Sequence, residues 1–294
     1  MTARVGARRL GRAYGAHTFA GNLGWVAAPV AVLALTAAFG WRAALVILGG
    51  AGLAFTVYLM SQRAVLASAP APLRPVAAPP GSAARPVTPP ASVLLSGPIL
   101  LCFAYFTLLS VAQVGLQTFL PSALIAAFGL SIAAANGMLT AFLLASSLGI
   151  LCGGVIADRF ARHERVVGIG LAAAASLSLV FAVASLPVLV LMAIAGAAGF
   201  AMGCTIPARD MLVRGATPAG ATGKVFGFVY SGLDLGATVT PPLLGLLLDH
   251  HLPRLVFVVA AAALFAAIAT AIVVGTDSAG SRRRATVAKP GGPA

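Results

Sequence analysis

The sequence predicts an all-α, polytopic membrane protein with eight transmembrane helices, and three observations predict this class. Of the 294 residues, 60% are apolar and 9% are charged, a composition that no soluble domain of this length has. Eight windows are long and apolar enough to cross the roughly 30 Å of hydrocarbon in a bilayer. No segment alternates apolar and polar residues over about ten positions, as strands of a membrane barrel do.

The predicted spans follow one another along the chain, and all but one of the loops between them are short. They cover residues 14–38, 41–60, 98–124, 132–157, 166–186, 188–206, 225–248 and 255–274. The exception is a Pro- and Ala-rich segment, residues 63–96, whose composition predicts a semi-extended linker. Residues 1–62 therefore hold two spans and residues 97–276 hold six. Residues 277–294 are predicted to be a disordered tail.

An internal repeat relates the two ends of the chain. Residues 11–46 recur without a gap, at an offset of 212, as residues 223–258. Identical pairs include Gly11 and Gly223, Gly15 and Gly227, Pro29 and Pro241, and Arg42 and Arg254. Chance rarely places glycine, proline and arginine in one register. The repeat aligns the first two spans with the last two of the six-span segment.

The net charge of +13 reports topology. Seventeen of the 19 lysine and arginine residues lie on one predicted side of the membrane, and only Arg42 and Arg254 lie on the other. This distribution follows the positive-inside rule and predicts that both termini are cytoplasmic. A nucleic-acid partner is therefore not indicated. The excess of arginine over lysine favours a bacterial protein of the inner membrane.

The sequence does not support an enzyme. It has no metal-ligand spacing, no phosphate-binding glycine loop and no nucleophile elbow. The three cysteines fall in or beside predicted spans, where a small buried side chain is the simplest interpretation. No cofactor or metal is predicted, and the oligomeric state is left open.

The loop after the fourth span resembles a conserved motif of the major facilitator superfamily. That motif is Gly-x-Leu-x-Asp-Arg-x-Gly-Arg followed by a basic residue, and four positions match in register: Gly154, Asp158, Arg159 and Arg162. Ile156 replaces the leucine, Ala161 replaces the second glycine, and His163 stands at the basic position. The first and seventh spans also resemble the fifth and eleventh helices of this superfamily. On that alignment the chain holds helices five to twelve and lacks the first four.

The resemblance implies a secondary active transporter that moves a small solute by alternating access, with proton-coupled efflux as one form. Its partners would be the solute, the lipid bilayer and, where coupling occurs, protons. The alternative is a truncated, non-transporting membrane protein, or a subunit that needs another chain to complete its bundle.

The loop motif predicts a conformational latch. Gly154 lets two helix ends approach, and Asp158 at the membrane edge can accept hydrogen bonds from a helix N-terminus or from an arginine. Arg209, just beyond Pro207, is the predicted partner of Asp158. Arg159 and Arg162 complete the set. The alternative interpretation is an ordinary solvated turn whose arginines only set the topology.

Polar residues inside the spans are candidates for solute or proton binding. Asp234 is an acidic residue near the middle of a span, where an ionised carboxylate costs about 2.5–3.5 kcal/mol. Gln113 and Gln117 lie one turn apart on one face, and with Asn136 and Tyr230 they could line a cavity. The alternative for Asp234 is a hydrogen bond to a neighbouring helix.

Helix packing is predicted at small residues spaced four apart. In lipid, close approach of helix backbones at such residues supplies much of the attraction between helices. The seventh span carries two such sets, Gly223, Gly227 and Ser231, and Gly232, Gly236 and Thr240. From this span, Gly227, Gly232, Gly236 and Pro241 are the predicted packing residues.

Overall fold

A computed structural model describes residues 10–63, 94–160, 162–217 and 222–287, and all regular structure in these residues is helical. The helices are α1 (Leu10–Ser61), α2 (Gly97–Gln117), α3 (Leu120–Phe128), α4 (Ile132–Arg159), α5 (His163–Val183), α6 (Val188–Ala216), α7 (Thr222–Asp249) and α8 (Arg254–Val287). Within the described part of the chain, seven segments are long and apolar enough to span a membrane, starting with Ala34–Ser61. The first predicted span, residues 14–38, is not a separate member of this set.

Gly40 divides α1 into two helical stretches. Its backbone has φ 79° and ψ 161°, while the residues on both sides are helical. Only glycine adopts this conformation without strain, because it has no Cβ. The boundary between the first two predicted spans, residues 14–38 and 41–60, therefore coincides with a kink at one glycine.

The third predicted span, residues 98–124, is divided into α2 and α3. Pro121 lies in the first turn of α3, where a missing backbone N–H does no harm, but it cannot continue α2. Gly129 then ends α3 in the left-handed conformation, with φ 64°. Apolar composition alone predicts one span here, but Pro121 divides it into two helices.

The last helix extends beyond the predicted span. The backbone of α8 is helical to Val287, so residues 277–287, predicted to be disordered, continue the helix. Residues 288–294 of the predicted tail and residues 64–93 of the predicted linker lie outside the described residues.

The described residues divide into two compact units, one of residues 20–63 and the other of residues 10–19, 94–160, 162–217 and 222–287. In the described part of the second unit, α4 packs on α6, α6 on α5, α5 on α8, α8 on α2, and α2 on α7. The short helix α3 packs on α4.

Helices α4 and α6 pack backbone to backbone through glycine. A Cβ added to Gly149 or Gly153 would collide with the carbonyl oxygen of Phe200 or Cys204, respectively. In the opposite direction, a Cβ on Gly199 or Gly203 would collide with a carbonyl oxygen of α4. The pairs advance together along both helices, so α4 and α6 run parallel. Close packing of this kind is how helices associate in lipid.

Replacing Gly203 with alanine is expected to destabilise the protein by about 1–3 kcal/mol, the usual effect of overpacking. The added methyl group would collide with the backbone of Ser146 on α4, so the two helices would have to separate. Thermal unfolding of the purified protein in detergent measures the change. Gly245→Ala is the matched control, since no described atom lies within 4 Å of its added Cβ. If both variants unfold at the same temperature, this packing does not contribute to stability.

Candidate functional site

Asp158, at the end of α4, caps the N-terminus of α1. Its Oδ1 accepts a hydrogen bond of 2.7 Å from the backbone N–H of Gly11, and its Oδ2 accepts one of 3.2 Å from that of Arg12. The Arg12 Nε also lies 3.2 Å from Oδ2. The first amides of a helix have no partner within it and form the positive end of its dipole. We call these contacts the Asp158 cap.

Three glycines permit this approach. A Cβ on Gly11 would lie 2.7 Å from both Asp158 Oδ1 and the carbonyl oxygen of Gly154. A Cβ on Gly15 would lie 3.1 Å from the carbonyl oxygen of Ile150, and one on Gly154 would lie 3.0 Å from that of Gly11. A side chain at Gly11 would force its neighbours to shift, and one at Gly15 or Gly154 would require the neighbouring backbone to yield by a few tenths of an ångström. The glycines therefore place the α1 N-terminus within reach of the carboxylate.

The repeat copy of these glycines has different surroundings. Gly223 and Gly227, at the start of α7, correspond to Gly11 and Gly15. No described atom lies within 4 Å of a Cβ built on either of them. The same small-residue pattern is thus packed at the start of α1 and exposed at the start of α7.

A second feature is a buried ion pair between neighbouring residues of α6. Arg209 Nε lies 3.1 Å from Asp210 Oδ1, and the two side chains are 9% and 4% exposed. The Tyr230 hydroxyl of α7 donates a hydrogen bond of 3.1 Å to the same oxygen. The Arg209 guanidinium carbon lies 4.7 Å from the ring centroid of Phe106 on α2. Arg209 and Asp210 therefore connect three helices.

Tyr105 borders this ion pair. It is 1% exposed, and its ring centroid lies 5.5 Å from that of Phe106, the ring that the Arg209 guanidinium contacts. Its hydroxyl has no hydrogen-bond partner among the described residues. A buried hydroxyl without a partner costs free energy. Among the described residues, the Tyr105 hydroxyl is thus a polar group of this cluster without a hydrogen-bond partner.

The structure separates the predicted pair of Asp158 and Arg209. Arg209 pairs with Asp210, and Arg12 takes the place at Asp158 that the sequence assigns to Arg209. Arg159 and Arg162 are exposed at the end of α4 and just before α5, and Ala161 between them lies outside the described residues.

The hydrogen bonds of the predicted solute residues run to different partners. Gln113 donates a hydrogen bond of 3.4 Å to Gln117 on α2, and Asn136 donates one of 2.9 Å to its own helix, at the carbonyl of Ile132. Tyr230 belongs to the buried ion pair. The Asp234 side chain is exposed, and no hydrogen bond or ion pair joins it to another described residue.

The predicted packing glycines of α7 differ among themselves. Gly232 and Gly236 lie against α2, where an added Cβ would come within 2.6 Å of the Phe103 carbonyl oxygen and 2.5 Å of the Thr107 carbonyl oxygen, respectively. Gly227 has open space around it among the described atoms, and Pro241 lies half-buried within α7. One face of α7 is therefore packed on α2 and the other is exposed.

A comparison with protein families identifies the kind of protein. The family described as Major Facilitator Superfamily matches residues 1–137 and residues 112–292. The chain belongs to the major facilitator superfamily. No curated protein and no solved structure matched it. Members of the superfamily are membrane transporters of small solutes and not enzymes, and the seven apolar helices of this member are consistent with a multi-pass membrane protein.

Sequence reasoning missed two residues of this major facilitator protein. Asp210 lies beyond the sixth predicted span, which ends at residue 206, whereas α6 continues through Pro207 to Ala216. The adjacent pair Arg209 and Asp210, two and three residues after Pro207 in an apolar stretch, is the signal that could have revealed it. Arg12 was assigned only to topology, although the matching Lys224 in the repeat copy marks the same helix start.

Proposed function

We propose that this chain is a secondary active transporter that moves a small solute across a bacterial inner membrane by alternating access. The proposal places both termini, the Asp158 cap and the loop between α4 and α5 on the cytoplasmic side, as the positive-inside rule requires. It includes proton coupling and solute export. Family membership supports transport in general, and the Asp158 cap supports the mechanism.

The Asp158 cap has the properties of a reversible latch. It joins residues 147 positions apart in the sequence, through a carboxylate and two backbone amides. Arg12 is 56% exposed, so water can replace its contact when the helices separate. Hydrogen bonds to a charged group contribute about 1.5–3 kcal/mol, which is enough to shift a two-state equilibrium by one or two orders of magnitude.

The latch residues then have separate roles. Asp158 is the acceptor, and Gly154 allows the close approach of α1. Arg159 and Arg162 keep the loop at the membrane surface. Arg209, through its pair with Asp210, holds α6 against α2 and α7, so that the helices next to the latch move together.

Asp234 is the proposed proton carrier. It lies on the face of α7 that points away from α2, since Gly232 and Gly236 occupy the packed face. An exposed carboxylate at this depth of a membrane helix is costly unless it meets water or takes up a proton. Gln113, Gln117, Asn136 and Tyr230 are the proposed solute contacts, because each presents a polar group inside a span.

Electrophysiology on solid-supported membranes tests the proposal and works even while the solute is unidentified. Proteoliposomes that contain the purified chain are exposed to concentration jumps from a panel of small solutes. At least one solute class is expected to evoke a current that protein-free liposomes do not show. A chain that is correctly folded and inserted but gives no current with any solute, with or without a pH gradient, would contradict transport by this chain alone.

Asp234→Asn is expected to abolish accumulation driven by a pH gradient and to preserve downhill exchange of the same solute. The amide keeps the shape of the carboxylate but cannot carry a proton. Uptake and counterflow in the same proteoliposomes measure the two activities. Asp249→Asn, at an exposed carboxylate on the same helix, is the control and should change neither. Gradient-driven accumulation at the wild-type level in Asp234→Asn would remove Asp234 from the mechanism.

The second candidate function is a subunit that assembles with another polypeptide. The exposure of Gly223 and Gly227, whose repeat counterparts are packed, favours it. A further helix on this face would complete the packing that Gly11 and Gly15 already have. Light scattering of the purified protein, combined with the transport assay, separates the two: a monomer that transports solute eliminates the subunit hypothesis.

A further inference from the structure

A cavity of about 500 Å³ lies where the end of α4 meets the start of α5. Its floor is formed partly by Cys204 of α6, and its walls include Ile156, Phe160 and Ile169. Phe160 is 59% exposed and Ile169 is 73% exposed, so the cavity is open at its side. We call this cavity the α4–α5 groove. It belongs wholly to the second compact unit.

Three arginines line the rim of the groove: Arg159, Arg162 and Arg165. Among the described residues the ion pairs are Arg12 with Asp158 and Arg209 with Asp210, so none of the three is neutralised by such a pair. Glu164, in the first turn of α5, is the acid nearest in sequence, and Asp158 is already bound to α1. The groove therefore carries excess positive charge.

The combination of an arginine rim and an apolar wall selects the ligand. Guanidinium groups bind phosphate through paired hydrogen bonds, which favours a phosphate-bearing molecule. The apolar side chains of Ile156, Phe160 and Ile169 do not bind a free phosphate ion, but they can pack against a hydrocarbon chain. Both α4 and α5 are candidate membrane spans, so the groove lies at the end of two spans, where lipid headgroups are found.

We propose that the α4–α5 groove binds an anionic phospholipid, with its phosphate among Arg159, Arg162 and Arg165 and the upper part of an acyl chain against Ile156 and Ile169. Basic pockets between helices at a membrane surface suit this ligand, since each basic residue near the surface contributes about 1 kcal/mol of attraction to anionic lipid. The assignment is independent of the transported solute and of the direction of transport.

Native mass spectrometry with phosphatidylglycerol and phosphatidylcholine tests the proposal on the full chain. Wild-type protein is expected to retain phosphatidylglycerol adducts at collision energies that remove phosphatidylcholine. In Arg162→Gln/Arg165→Gln, the affinity for phosphatidylglycerol is expected to fall on the order of tenfold. Arg63→Gln/Lys224→Gln removes the same charge from exposed positions outside the groove and should bind like the wild type.

Two further measurements keep the outcome decisive. Arg162→Lys/Arg165→Lys preserves the charge but loses the paired hydrogen bonds, so its affinity is expected to lie between those of the wild type and the glutamine variant. This intermediate affinity separates lost binding from lost folding. Inorganic phosphate is added as a competitor: if it displaces phosphatidylglycerol at millimolar concentration, the site is a phosphate site and the lipid assignment is overturned. Equal binding of the two lipids by the wild type, or equal loss in both glutamine variants, would also overturn it.

Discussion

Asp210→Leu is expected to lower the free energy of unfolding by about 3–5 kcal/mol, because it leaves a buried guanidinium without its carboxylate. Arg209 is only 9% exposed, so water cannot replace the lost partner. The variant also removes the acceptor of the Tyr230 hydroxyl. Reversible unfolding in mixed micelles, followed by circular dichroism, measures the change.

The matching double variant distinguishes a broken ion pair from a general packing defect. Arg209→Met/Asp210→Leu removes both charges and is expected to recover most of the stability that Asp210→Leu loses, since apolar replacements of buried pairs are often neutral. Tyr230→Phe, which deletes only one hydrogen bond, should cost about 1 kcal/mol. If the single and double variants at Asp210 are equally unstable, the charge of Arg209 is not the cause.

Asp158→Asn is expected to accelerate amide hydrogen exchange at Gly11 and Arg12 by about tenfold to a hundredfold, the equivalent of 1.5–3 kcal/mol for hydrogen bonds to a charged group. Asparagine keeps the size of the side chain and loses its charge, so it weakens both the amide contacts and the Arg12 contact. Exchange followed by mass spectrometry on a peptide that covers the start of α1 measures the effect.

Asp249→Asn is the matched control for this experiment. Its carboxylate is exposed at the end of α7 and has no hydrogen bond or ion pair with a described residue. Exchange at the start of α1 should be unchanged in this variant. If amide hydrogen exchange at the start of α1 is as slow in Asp158→Asn as in the wild type, the cap does not hold the helix end. The proposed latch would then lose its basis.

The chemistry of Asp158 was predictable, but its partner was not. Its position at the end of an apolar span, four residues after Gly154, indicates a carboxylate that meets a helix N-terminus or an arginine, and it meets both. Which helix end lies opposite depends on tertiary packing, which residue spacing does not encode. Arg12 therefore stands where Arg209 was expected.

The positions of the spans could be predicted from the sequence, but the kinks and breaks inside them could not. Apolar content locates spans because a helix in lipid is apolar on all sides, but it gives no sign of where a backbone turns. Gly40 causes a kink between two predicted spans, and Pro121 causes a break inside the third predicted span. Both places lie within or between windows of apolar residues. The burial of Asp210 depends on α2 and α7, which lie more than ten residues away in sequence, so the span itself could not predict it.

Helix α4 has two rows of close backbone contacts, which we call its seams, and they limit how its sequence can change. Gly149 and Gly153 face α6, while Ile150 and Gly154, one position later, face the start of α1. An inserted or deleted residue turns everything beyond it by about 100° around the helix axis, which would misalign both seams together. Substitutions at outward positions such as Leu144 and Leu148 leave the seams intact. Between residues 142 and 158, this helix can therefore vary in composition during evolution but cannot gain or lose a residue.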